Sequence, residues 1–136
     1  MLGSRREKLE GEGRRMSVYQ IIRNAIVNHQ QVIATYHGYP REMCPHVIGI
    51  KRGKPATRGR GGKPGKPATA DEVHALFYQF GGRSESGLLP DGSPANWRCL
   101  RIDELSNVST RPGPWHTAPN HSRPQTCVDE IDIEVT

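Results

Sequence analysis

No apolar run in this chain approaches the ~20 residues that a bilayer-crossing helix requires. Residues 1–15 are charged and contain no apolar signal region, so secretion is not expected. Cysteine is scarce: Cys44, Cys99 and Cys127 are an odd number with no C-x-x-C spacing. A disulfide framework and a zinc ribbon are therefore both unexpected, and a reducing cytoplasm fits the composition. Hydrophobic residues make up 34% and aromatic residues 6%, while Gly and Pro number 15 and 11. Part of the chain is thus too poor in apolar side chains to pack. One domain is expected, with an ordered part of about 90–100 residues that can bury a modest core.

What is abundant is positive charge, and it is unevenly placed. The net charge is +5. Lys51, Arg52, Lys54, Arg58, Arg60, Lys63 and Lys66 fall within residues 51–70 with no acid among them, a local +7. Residues 71–136 hold five basic against ten acidic residues, a local −5, while residues 1–15 and 16–50 carry +2 and +1. The basic character belongs to segments expected to be flexible and says little about the folded surface.

Residues 1–15 read as a disordered extension, with Met16 as a plausible start. Ser17 can cap a helix, and Val18, Ile21, Ile22, Ala25 and Ile26 fall at helical spacing, so a helix is expected to about His29. Residues 31–36 are rich in β-formers, and a turn at His37-Gly38-Tyr39-Pro40 leads to a second strand over residues 41–50. Residues 51–70 are of low complexity: Gly53-Lys-Pro-Ala-Thr57 recurs as Gly65-Lys-Pro-Ala-Thr69. Pro and Gly at this density predict a hairpin loop without regular structure, grown by duplication. Residues 73–80 form the most strand-like run. A polar loop over 81–96, strands at 97–101 and 106–110, a Pro-rich tail over 112–124 and an acidic edge strand within 127–135 complete the order. The domain is expected over 16–110, with residues 111–136 as tail.

In Trp97-Arg-Cys-Leu-Arg-Ile-Asp-Glu-Leu-Ser-Asn-Val108, Leu100 and Ile102 alternate with Arg101 and Asp103. The apolar side chains share one face, so Arg101 takes the other, where it can meet a ligand. Short strands with hairpin connections after a single helix point to a small antiparallel barrel, because closure removes exposed edges. The helix, then Val32-Ile-x-x-Tyr36-x-Gly38, Arg41-x-x-x-Pro45-His46-x-Ile48, an aromatic strand and Leu100-Arg-Ile-Asp-Glu-Leu105, resembles the WYL domain over residues 17–110. The resemblance implies a mainly β fold, an SH3-like or Sm-like barrel with one N-terminal helix. It also implies a bacterial regulatory module that binds nucleotides or nucleic acid through a basic pocket. Arg101 and Asp103 match the family's last motif, Glu104 replaces its second arginine, and Ala75-Leu-Phe-Tyr78 stands on the strand of the Trp-Tyr-Leu signature.

Arg41, Arg98 and Arg101, with Tyr36 and Tyr78, are the candidate ligand-binding residues. Arginine offers a planar fork to phosphate, and tyrosine a stacking face to a base. The seven cations of the insert are candidates for contacts to phosphate without sequence preference. The bland alternative for both sets is solvated strand and loop residues. Five histidines (37, 46, 74, 116, 121) with the cysteines invite a metal reading, but no finger spacing is present and no metal site is expected. Cys44 with His46 or His74 lacks an orienting third group. Ser84-x-Ser86-Gly87 is not a nucleophile elbow, and Gly59-x-Gly61-Gly62 lacks the phosphate-loop ending. The expected function is a non-enzymatic binding module without cofactor. Its partner would be a nucleotide or single-stranded nucleic acid. The alternative is a barrel that docks on a protein partner or a second copy of itself.

Overall fold

The computed structural model describes residues 16–119 and 124–136. The extension expected over 1–15 and the residue His121 lie outside these. Helix α1 spans Val18–Asn28. Ser17 caps it, its Oγ accepting from the Gln20 N–H at 3.2 Å. It ends where His29 takes the left-handed conformation, with φ 52°. Ile22, Ala25 and Ile26 are its buried stripe, the i, i+3, i+4 pattern of one helix face. Strands follow in the order β1 (Gln31–Tyr36), β2 (Tyr39–Lys51), β3 (Glu72–Gly82), β4 (Trp97–Arg101) and β5 (Leu105–Arg111). A short helical turn α2 (Pro124–Cys127) and strand β6 (Glu130–Glu134) close the chain. No helix among the described residues is long and apolar enough to cross a membrane.

All pairings are antiparallel, and the path runs β4-β3-β2-β1-β5, with β6 on β2. Strands β4 and β5 are joined by a 3-10 turn over Ile102–Glu104 but do not pair with each other. The six-stranded sheet is therefore open. Strand β2 organises it, pairing with β1 from Tyr39 to Met43 and with β6 from Val47 to Ile50. The partner changes at Pro45, which has no N–H to donate, and a register shift against β3 lies between Pro45 and Val47. A proline inside a strand belongs at such a bulge. The β1–β2 connection is the two-residue turn His37-Gly38, with φ of 52° and 82°. These positive values match the twist of the flanking strands.

Both faces of the sheet are covered. On one, α1 packs Ile22, Ala25 and Ile26 against Val32, Met43, Ile48, Ala75, Phe77 and Leu100. On the other, Val47, Leu76, Tyr78 and Trp97 meet Ala118, Cys127 and Val128. The stretch expected to be a Pro-rich tail is instead a strap across that second face. Gln31 Nε2 donates to the Pro114 carbonyl at 2.8 Å, and Trp97 Nε1 to the Pro119 carbonyl at 3.1 Å. The His116 ring stacks on Phe80 with centroids 3.9 Å apart. Because both faces are buried, Ala75 to Tyr78 read as one continuous apolar run rather than an alternation.

Two further expectations are corrected. Cys99 and Cys127 form a disulfide across 28 residues of sequence, with Cα atoms 5.6 Å apart. The strap brings them together, which sequence spacing does not reveal. The insert contains little regular strand, but it is not structureless. Its two repeat copies run antiparallel, and each threonine serves the other copy's lysine. The Lys54 N–H donates to Thr69 Oγ1 at 2.7 Å, and the Thr69 N–H donates to the Lys54 carbonyl at 2.9 Å. The Lys66 N–H donates to Thr57 Oγ1 at 2.9 Å, and the Thr57 N–H donates to the Lys66 carbonyl at 2.8 Å. The duplication thus builds a cross-bonded arm turning at Gly61-Gly62, with a bridge between Arg60 and Lys63.

Candidate functional site

Three polar side chains meet where β2, β3 and β4 leave their cores. Arg41 stands on β2 and is 4% exposed. Its Nη1 donates to Gln79 Oε1 and its Nη2 to the Tyr36 carbonyl, both at 3.4 Å. Those contacts are long for N–H···O bonds, which cluster near 2.9–3.0 Å. Its Nε is buried without an acceptor. The guanidinium carbon lies 5.1 Å from the centre of the Tyr36 ring, in cation–π range. Gln79, fully buried on β3, gives its one Oε1 to two arginines, since Arg98 Nε also donates to it at 3.2 Å. Its amide nitrogen donates to the Gly81 and Arg83 carbonyls.

Arg98, on β4, is better provided. Its Nη1 donates to the Ala95 carbonyl and its Nη2 to the Gly87 carbonyl, each at 2.7 Å, and Nη2 also reaches Ser84 Oγ at 3.2 Å. It thereby pins the loop between β3 and β4. Neither Arg41 nor Arg98 has a carboxylate within ion-pair distance among the described residues. Burial holds both guanidiniums below their ordinary range, and for Arg98 the positive charge of Arg41 adds to it. Two like charges thus share one neutral acceptor in a desolvated place, an arrangement that favours a negative group.

The other candidates divide. Tyr36 is half-buried beside Arg41, its ring stacked on His37 at 4.0 Å. Arg101 does point away from the core, but it is ringed by acids: Glu72 at 2.9 Å, Asp103 at 2.7 Å and Glu104 at 3.9 Å. Its charge is already answered. Tyr78 is a core residue, fully buried, edge-on to Trp97, its hydroxyl donating to the Ser93 carbonyl and accepting from the Gly92 N–H. The structure therefore joins Arg41, Arg98 and Tyr36 and sets Arg101 and Tyr78 apart. Gln79, the hub, was not among the expected residues. Its signal was its polarity inside the apolar run from Val73 to Phe80.

In the arm, Lys51 and Arg52 pair with Asp129 at 3.5 Å and with Glu130 at 3.1 Å. The side chains of Lys54, Arg58, Arg60, Lys63 and Lys66 make no ion pair among the described residues and are exposed. Cys44 is buried, and burial pushes its thiol up to about 11. His46 spends Nδ1 on the Cys44 carbonyl and Nε2 on Thr117 Oγ1, so these two do not make a nucleophile–base pair. One group of three potential metal ligands lies among the described residues, His74 with Cys99 and Cys127. Comparison with protein-family models, curated proteins and solved structures returns no match.

Proposed function

We propose that the chain is a small non-enzymatic regulatory module of the WYL type that binds an anionic ligand at Arg41 and Arg98. The ligand is a nucleotide or the backbone of single-stranded nucleic acid. One observation carries the reading: the buried guanidinium of Arg41 and the half-buried one of Arg98 converge on Gln79, with no carboxylate within ion-pair distance of either among the described residues. A phosphate oxygen meets Arg41 where the protein supplies only long bonds. Charge-assisted bonds of this kind are roughly twice as strong as neutral ones. Tyr36, beside Arg41, offers a stacking face to a base once its ring parts from His37. Arg98 spends two donors on the Gly87 and Ala95 carbonyls of the loop, so a ligand exchanges these for phosphate oxygens.

The strand order β4-β3-β2-β1-β5, the 3-10 turn between β4 and β5, and the helix packed on one face support an SH3-like or Sm-like half-barrel as the scaffold. The arm adds a second electrostatic surface. Its five cations that make no ion pair among the described residues would follow a phosphate backbone without reading sequence.

The test is titration of a mononucleotide panel and a fluorescein-labelled oligothymidylate against the full chain. Arg41→Gln is expected to weaken binding by about tenfold or more, the range of one charge-assisted contact. Arg101→Ala should bind within about twofold of the parent, since its charge is internally compensated. Neutralising the five arm cations should flatten the salt dependence for the oligonucleotide and leave mononucleotides unaffected. Parent protein that binds neither probe would overturn the reading in favour of docking on a protein partner.

A further inference from the structure

We propose that the Cys99–Cys127 disulfide is a thiol-exchange site, opened by low-molecular-weight thiols, with Cys99 as the sulfur attacked and His74 as the proton carrier. The two sulfurs differ sharply in access. Cys99 is exposed on β4, whereas Cys127 is 2% exposed under the strap. A cleft of about 130 Å³ lined by Leu76, Trp97, Thr126 and both cysteines leads to the bond. His74 Nδ1 lies 3.6 Å from Cys99 Sγ, and the reactive atoms of His74, Cys99 and Cys127 all lie within 4.8 Å of one another. Glu72 Oε1 stands 2.9 Å from the other ring nitrogen, Nε2, and Arg101 steadies the same carboxylate from 2.9 Å. An exposed disulfide sulfur, an imidazole beside it and a carboxylate behind the imidazole are what a purely structural cystine does not need.

The chemistry balances with two thiols. The thiolate of the first attacks Cys99 Sγ, the S–S bond breaks, and Cys127 leaves with its electron pair and takes up a proton delivered by way of His74, whose ring nitrogen lies within 4.8 Å of both sulfurs. A mixed disulfide now stands on Cys99. The second thiolate attacks the external sulfur of that mixed disulfide. Cys99 leaves with its electron pair and takes up the second proton from solvent by way of His74, whose Nδ1 lies 3.6 Å from Cys99 Sγ in the closed form. Two thiols are oxidised to one external disulfide, and the protein cystine takes up two electrons and two protons. Reoxidation by an external disulfide runs the same steps backwards.

Opening the bond frees the strap at one point only. Strand β6 is held on β2 independently of the bond, by its own ladder and by the Asp129 N–H donating to the Ile50 carbonyl at 2.8 Å. What loosens is the cover over Leu76 and Trp97, so the redox state sets how firmly the second face of the sheet is closed.

The full chain is equilibrated in glutathione buffers of varied thiol-to-disulfide ratio, alkylated without denaturant and read by intact mass. A single two-electron transition in native protein is expected, with Cys44 unmodified throughout as the internal control. Reduction should lower the melting temperature by roughly 10 °C, the scale of releasing a closed loop of this length. In Cys127→Ser, oxidised glutathione should modify Cys99. In Cys99→Ser, Cys127 should stay unmodified. His74→Gln should slow opening by about tenfold at unchanged circular dichroism, and the loss should vanish at high pH, where proton donation is no longer needed. A bond that native protein keeps in excess reduced glutathione and loses only on denaturation would make it a structural cystine. So would a mixed disulfide that forms on Cys127. A reduced chain that retains one zinc ion per molecule and no longer reoxidises would replace exchange with metal binding. The parent measurements decide the matter even if a serine variant does not fold.

Discussion

Arg41 shows how one residue can be costly to the fold and useful to the molecule. Its guanidinium is buried, under-bonded and, among the described residues, without a carboxylate within ion-pair distance. Removing such a charge relieves a desolvation cost while its aliphatic stem still needs a replacement of similar shape. Arg41→Met is therefore expected to leave the ligand-free chain as stable as the parent, or more stable by up to about 2 kcal/mol. Urea unfolding measures this. A loss of more than about 2 kcal/mol would assign the guanidinium a structural role instead. Arg98 is the contrast. Its donors are taken by the Ala95 and Gly87 carbonyls and Ser84 Oγ, so Arg98→Met should unpin the loop and cost stability. The two arginines look alike in sequence, and burial with bonding separates them.

At the scale of elements, β6 and the arm make opposite demands. Strand β6 lies so close on β2 that a Cβ at Gly49 would stand 2.1 Å from the Glu130 carbonyl oxygen. That contact is backbone and cannot swing aside. Gly49→Ala should cost about 1–3 kcal/mol, as overpacking does, and should raise amide exchange along β6 before the rest of the sheet. Exchange rates that rise evenly across all strands would show that β6 is not the element displaced. Beyond Arg52, which pairs with Glu130, the arm makes no ion pair with the rest of the chain among the described residues. From Lys54 to Thr69 the hydrogen bonds join its own two limbs, and the side chains are exposed. Deleting residues 54–66, which removes one repeat unit, should shift the melting temperature by less than about 3 °C, as surface changes do. A larger drop would mean that the arm braces the sheet.

For the molecule as a whole, the C-terminal segment is held by acids whose ionised form the fold prefers. The Tyr19 hydroxyl and Arg23 Nε both donate to Asp132 Oδ2. Asp132 is held below the usual carboxylate range, first by the Tyr19 hydroxyl, and Asp129 likewise by the Arg52 N–H. A carboxylate depressed in the folded state contributes stability that is present above its unfolded value, about 3.9, and is lost as pH falls through the lower folded value. Tyr19 moves the other way, pushed up to about 12 by burial and by Asp132. Its contribution is full below about 10 and fades as pH rises towards its folded value. The parent should therefore lose stability below about pH 4, with β6 leaving β2 first, and Asp132→Asn should flatten that acid limb. Equal acid limbs in parent and variant would show that other carboxylates govern it.

Much of the architecture was legible because it rests on neighbours in the chain. The serine cap, the apolar stripe of α1, the His37-Gly38 turn and the alternation around Arg101 are local and carry their own geometry. So does the duplicated Gly-Lys-Pro-Ala-Thr, although composition alone suggested looseness where two copies meeting head to tail supply reciprocal bonds. The sequence by itself determined a helix, an ordered series of antiparallel strands and a basic insertion. It also determined that Arg101 leaves the core, but not that Glu72 would meet it there. Tertiary structure alone decided which charges were answered and which were left bare. It also decided that the strap folds over the second face, that Gln79 stands between Arg41 and Arg98, and that Cys99 meets Cys127 beside His74. The physical reason is the same in each case. Local backbone preferences act over a few residues, while the charge balance of a buried group and the reactivity of a sulfur depend on side chains tens of residues away. Those arrive only when both faces of the sheet are packed.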